Sequence, residues 1–113
     1  MSGASPEKIA QIRELNDKLR CKGIGGRVLI TSGIEALGMH GIRQVLAEVS
    51  RFNNFTEDND PWGEHDCATL TVDGRRVIFK IDYYDKQLQF HSPDPGDASV
   101  TERVITIMLA DEY

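Results

Sequence analysis

Cysteine is nearly missing from this sequence: of 113 residues only Cys21 and Cys67 are thiols. Two are too few for a disulfide framework, and nothing beside them has zinc-site spacing. They are expected to be isolated, buried or half-buried thiols in a reduced, cytoplasmic chain. Long apolar runs are missing too; none approaches the roughly 18 residues of a membrane span. Met1 to Pro6 lacks the charged and apolar stretches of a secretory leader. No repeat, low-complexity tract or linker divides the chain, so residues 1–113 are expected to form a single domain. A basic excess is also absent: 13 Lys and Arg stand against 18 Asp and Glu, for a net charge of −5. Coating DNA or RNA needs the opposite balance and is excluded. What remains, 40% hydrophobic and 27% charged, is ordinary globular composition.

The charge is unevenly spread. Residues 1–56 hold eight Lys and Arg against five Asp and Glu, a balance of +3. Residues 57–113 hold five against thirteen, a balance of −8. Within that half, residues 53–66 carry Glu57, Asp58, Asp60, Glu64 and Asp66 with no Lys or Arg to offset them. A surface of that kind attracts a basic protein partner through long-range steering.

Local signals outline an α+β fold. Ser5-Pro6-Glu7 combines an N-cap hydroxyl, proline at the first helical position and an acid in the first turn. Ile9, Ile12, Leu15 and Leu19 follow at helical spacing, and Gly23 ends the helix. Arg27 to Thr31 reads as a short buried strand, Ile34 to Leu37 as a helical turn, and His40 to Phe52 as an amphipathic helix. Asp73-Gly74 lies between two strand-like runs, the signature of a two-residue hairpin turn. A second turn at Asp85-Lys86 leads to a third run, Gln87 to His91. Ser99-Val100-Thr101-Glu102 reads as a capping box opening a last helix that reaches Glu112. The expected architecture is a three-stranded antiparallel meander over about residues 66–91, with a short N-terminal strand, packed against two to three helices.

Hairpin register assigns the faces. With Asp73-Gly74 as loop, Leu70 opposes Val77 and Ala68 opposes Phe79; with Asp85-Lys86 as loop, Tyr83 opposes Leu88 and Ile81 opposes Phe90. Leu70, Val72, Val77, Phe79, Ile81, Tyr83, Leu88 and Phe90 then share one buried face. On the other face His65 opposes Asp82, and Cys67 opposes Lys80. Opposed Cβ atoms lie about 4.5–5.5 Å apart. Such a face is polar by default, and it is also where a His–carboxylate pair with a nearby Lys could do acid–base chemistry. His65, Asp82 and Lys80 are therefore the catalytic alternative. Glu64 and Asp66 fall on the apolar side of this register, so either the strand starts only at Cys67 or these acids answer buried N–H groups of a neighbouring loop; the second is expected for Asp66.

Motif tests are mostly negative. Asp58 to Glu64 imitates the start of a calcium loop, but Trp62 and Thr69 occupy ligand positions and Pro61 stiffens the turn. Gly23-Ile24-Gly25-Gly26 precedes a strand instead of following one, so it is no dinucleotide or phosphate loop. A metal set of Asp60, His65 and His91 is geometrically conceivable. Trp62, the one tryptophan, either anchors the acidic loop on the core or forms an exposed aromatic anchor ringed by acids.

Four runs of residues carry a resemblance: Asn59-Asp60-Pro61-Trp62-Gly63-Glu64-His65-Asp66; Lys80-Ile81-Asp82-Tyr83-Tyr84-Asp85; Ser92-Pro93-Asp94-Pro95; and Arg103-Val104 with Thr106 to Ala110 and Glu112-Tyr113. From about Ile9 onward the chain resembles domain-of-unknown-function family 3768. The resemblance implies a small single-domain protein, mostly proteobacterial and often encoded on plasmids or other mobile DNA, and it implies no site residues. Small acidic proteins from such elements often occupy the basic, nucleic-acid-binding surface of a host defence complex. The leading expectation is thus a non-catalytic acidic binding protein, anti-CRISPR-like or anti-restriction-like, that needs no cofactor. Its partner is a protein with a basic surface, and it touches that partner through Glu57, Asp58, Asp60, Trp62, Glu64, Tyr84 and Asp85.

Overall fold

A computed structural model describes residues 5–113; the reading of a leader at Met1 to Ala4 lies outside them. Helix α1 (Pro6–Lys22) begins as its sequence dictates: the Ser5 hydroxyl accepts from Lys8 N–H at 3.1 Å, and Gly23 closes the helix in the left-handed region at φ 69°. Strand β1 (Arg27–Ile30) follows, not buried as its apolar run suggests but an edge strand with Val28 and Leu29 exposed; then come the single turn α2 (Ser32–Glu35) and helix α3 (Gly38–Arg51). Strands β2 (Cys67–Val72) and β3 (Arg75–Tyr84) form a hairpin in the expected register, with Leu70 opposite Val77 and Ala68 opposite Phe79. Asp73 and Gly74 both take positive φ, 51° and 79°, as that turn requires.

Downstream of Tyr84 two expectations fail. Gln87 to His91 is not a strand. The Asp85 carboxylate accepts from the N–H groups of Gln87 and Gln89 at 3.2 and 3.0 Å, folding the chain into a compact loop in place of a two-residue hairpin. Tyr84 meets His91 in an isolated bridge, and Leu88 and Phe90, expected inside, are exposed. The chain after Thr101 is not a helix either. It is strand β4 (Glu102–Leu109), antiparallel to β3 and parallel to β1. Val104, Ile105, Thr106 and Ile107 form an unbroken β-branched run, which fits a strand covered on both flanks better than a helix. The supposed capping box is absorbed elsewhere: Ser99 N–H donates to Asp97, and the Thr101 hydroxyl lies 2.7 Å from that of Ser92.

The result is α+β, but the sheet is four-stranded and mixed, in the order β1-β4-β3-β2. All three helices lie on one face, where Leu19, Ile34, Val45 and Val49 close over Val77, Phe79, Ile81, Ile105 and Ile107. No described helix is long and apolar enough to cross a membrane. Both cysteines are exposed rather than buried; β2 turns Cys67 toward the uncovered face together with Lys80.

Glu112 clasps the chain end to the β1–α2 junction. Its carboxylate accepts from the Thr31 hydroxyl at 2.6 Å, from Gly33 N–H at 2.9 Å and from Leu109 N–H at 2.8 Å. The Thr31 hydrogen bond, then that from Leu109, hold its carboxyl below the usual glutamate value of 4.5. A carboxyl with a depressed folded pKa stabilises the fold above its unfolded value, and that stabilisation is lost as pH falls through the folded value. Urea unfolding between pH 7 and pH 3 is expected to show an acid-side loss of stability that is smaller in Glu112→Gln. An unchanged acid limb would show that the clasp contributes nothing.

Candidate functional site

The acidic loop between α3 and β2 is a built structure. Thr56 and Asn59 bond each other reciprocally, and Asp60 N–H donates to Thr56 O at 2.8 Å. Asp60 is 7% exposed, and its carboxylate accepts from His65 N–H at 3.1 and 3.3 Å. It is therefore Asp60, not Asp66, that answers a backbone N–H inside the loop. Gly63 and His65 both take positive φ, 73° and 57°, which reverses the chain and leaves Trp62 49% exposed. Helix α1 holds the loop down: Arg13 donates to Gly63 O at 2.8 Å and Asn16 to Glu64 O at 3.0 Å.

A buried polar relay continues beneath. Asn16 donates to the Tyr83 hydroxyl at 2.8 Å, and that hydroxyl donates to Glu64 Oε1 at 2.7 Å. Arg103, 1% exposed, donates through Nε to Asn16 Oδ1 at 2.6 Å and through Nη2 to Pro95 O, with its guanidinium 5.1 Å over the Tyr83 ring. Burial, chiefly, pushes the Tyr83 phenol above its ordinary value, so it stays a neutral donor. The Ser92–Pro95 loop forms the facing wall, where Lys8 pairs with Asp94 at 2.9 Å.

Between these walls lies a cleft of about 510 Å³, lined among others by Trp62, Glu64, Asp66, Tyr83, His91 and Asp94. A smaller hollow of about 320 Å³ shares Asp66, Tyr83 and His91 and reaches Asp82 and Tyr84. The cation lining the larger cleft, Lys8, is already used, since it is tied to Asp94. Among the described residues, Glu64 and Asp66 have no Lys or Arg paired to them. Partial burial, then the Glu64 charge, raise the Asp66 pKa above the usual 3.8, with smaller contributions from Asp60 and Asp82. Two carboxylates held close without a counter-cation, beside an exposed indole, make a cation-seeking surface.

The remaining candidates are scattered. His65 does not oppose Asp82, because β2 begins only at Cys67 and the left-handed His65 breaks the register. Its Nδ1 lies 2.8 Å from Asp17 and its Nε2 3.8 Å from Asp60, and the ring stacks on Phe55 at 3.9 Å. Asp82 pairs instead with Lys80 at 2.6 Å on the uncovered sheet face. His91 stands edge-on to Tyr83 at 6.3 Å, so Asp60, His65 and His91 are not brought together; among the described residues no three His, Cys, Asp or Glu are grouped as metal ligands. Glu57 and Asp58 are exposed on the loop's outer turn, Asp85 caps its own turn, and Tyr84 is half-buried.

Sequence reasoning missed Asn16, Arg103 and the Arg20–Asp17 pair. Asn16 gave a signal: it interrupts the stripe of Ile12 and Leu19, where a polar residue needs a buried partner. Arg103 became legible only once residues 102–109 were a strand, since it shares a face with Ile105 and Ile107.

A family model described as protein of unknown function (DUF3768) matches residues 30–112. No curated protein and no solved structure matches the chain significantly. Helix α1, which lines the cleft with Lys8 and Ile12 and holds its walls through Arg13 and Asn16, precedes the matched residues.

Proposed function

The chain belongs to this family of unknown function, DUF3768, and from the chemistry of its cleft we propose that it is a non-catalytic acidic binding protein that captures a basic protein surface. The observation that carries the reading is the pair Glu64 and Asp66 without a cation, in a cleft beside the exposed Trp62. An Arg or Lys side chain of the partner enters there, lies against the indole and completes the charge balance. Glu57 and Asp58, on the outer turn, steer the approach. In its finest form the reading is a mobile-element-encoded inhibitor of a host defence nucleoprotein complex. The −8 half of the chain then stands where nucleic-acid phosphates would, and charge supports that form.

Glu64→Gln with Asp66→Asn should weaken association with such a surface by about 10- to 100-fold, as expected for removing desolvated charge partners. Gln keeps an acceptor for the Tyr83 hydroxyl. Asp66→Asn alone should raise folding stability at pH 7, because a carboxyl with a raised folded pKa disfavours the folded state above that value. Titration against an arginine-rich peptide at several salt concentrations, with urea unfolding of each variant, checks both. Binding that ignores the double variant, or that does not strengthen as salt falls, would refute the reading. Competition with nucleic acid for the same basic partner tests the defence-inhibitor form.

A further inference from the structure

Among the described residues the outer edge of β1 is unpaired, and Arg27 is its one charged guard against pairing. Thr31 N–H donates to Ile107 O across the β1–β4 ladder. Main-chain groups alternate along a strand, so Leu29 and Thr31 face β4, while the N–H and C=O groups of Val28 and Ile30 face away. That edge has no lysine, proline or bulge. Its surroundings are apolar and open: Ile24 is 54%, Val28 44%, Leu29 50% and Leu46 37% exposed. A groove of about 220 Å³ between α1 and α3 opens beside Val28 and Leu46. The opposite edge, β2, instead exposes Cys67, Thr69 and Thr71.

We propose that β1 pairs antiparallel with β1 of a second copy, about a two-fold axis at Leu29, joining the two four-stranded sheets into one. The register is self-complementary. Val28 opposes the second copy's Ile30 and Ile30 its Val28, so all the outward main-chain groups of both strands are satisfied. Leu29 meets its own counterpart on the uncovered face. Charge selects the same register. Arg27, the strand's one charge, falls opposite the second copy's Thr31 instead of its own copy. In its own chain the Arg27 guanidinium lies 3.7 Å from Glu102; because the Thr31 hydroxyl donates to Glu112, each Arg27 also arrives beside the second copy's Glu112 carboxylate, which adds a second acidic partner on each side of the axis. Leu46 and the apolar groove flank the joint on the helical side.

Sedimentation under reducing conditions is expected to give a dimer at about 100 μM, well above a micromolar dissociation constant. Leu29→Glu sets two like charges across the axis and should yield monomer. Val28→Pro should do the same without touching the fold, because the N–H it deletes faces outward. In a Cys21→Ser/Cys67→Ser background, Leu29→Cys should oxidise to a covalent dimer. At a non-hydrogen-bonded pair the Cα atoms stand about 4.5 Å apart, within disulfide reach. Val28→Cys, opposite Ile30, should not. A wild-type mass of one chain, or a dimer indifferent to both Leu29→Glu and Val28→Pro while circular dichroism shows them folded, overturns the proposal.

Discussion

Arg103→Ala is expected to lower the unfolding free energy by about 3–5 kcal/mol, the sum of two buried acceptors left without a donor and the cavity left by a long side chain. The guanidinium is 1% exposed and joins three parts of the molecule: Asn16 on α1, the Pro95 carbonyl of the facing loop and the Tyr83 ring on β3. Truncation strands the Asn16 and Pro95 acceptors away from water and leaves a cavity. Because Asn16 in turn orients Tyr83 and the Glu64 carbonyl, the cleft should loosen with the fold. Arg103→Lys keeps the charge but cannot reach both acceptors with one ammonium, and should fall between wild type and Ala. Urea unfolding of the three proteins measures this; a loss below about 1 kcal/mol for Ala would mean that the network is not a structural centre.

Arg20→Ala should cost about 3–4 kcal/mol, by a separate route. A helix leaves its last carbonyls without intrahelical donors. At the end of α3, Arg20 supplies them, donating to Val49 O at 2.9 Å and Phe52 O at 2.7 Å while also bonding Asp17 at 3.1 Å. Its guanidinium also lies 5.2 Å and 5.7 Å from the Phe55 and Phe79 rings. Arg20→Met restores the packing but not the donors, and should recover about half of the loss. Equal stability of the Met and Ala variants would put the whole effect on the hydrogen bonds. Phe55 stacks on His65, so either variant should weaken partner binding as well, through a loosened acidic loop.

Where local chemistry was decisive, the sequence alone was enough. Ser5-Pro6 and Gly23 bounded α1, Asp73-Gly74 set the β2–β3 register, and the alternation along β3 separated Phe79 and Ile81 from Lys80 and Asp82. Membership of the family was legible in the same way, from long runs of residues. Competition between local signals misled at two places. The Asp85 side chain took backbone N–H groups that a third meander strand would have used. At residues 99–102 a helix-start pattern outweighed a β-branched run whose preference emerges only between two neighbouring strands.

The site divides along the same line. Composition alone located an unbalanced acidic segment with one tryptophan in it, because charge and residue type are properties of the chain. Which acids act together was a tertiary decision. Asp60 was drawn inside to hold His65, Asp82 was neutralised by Lys80, and Asp94 by Lys8. Glu64 and Asp66 were left in the cleft without a cation. Pairing depends on distances between α1, the loops and β3, and those distances exist only once the core has closed.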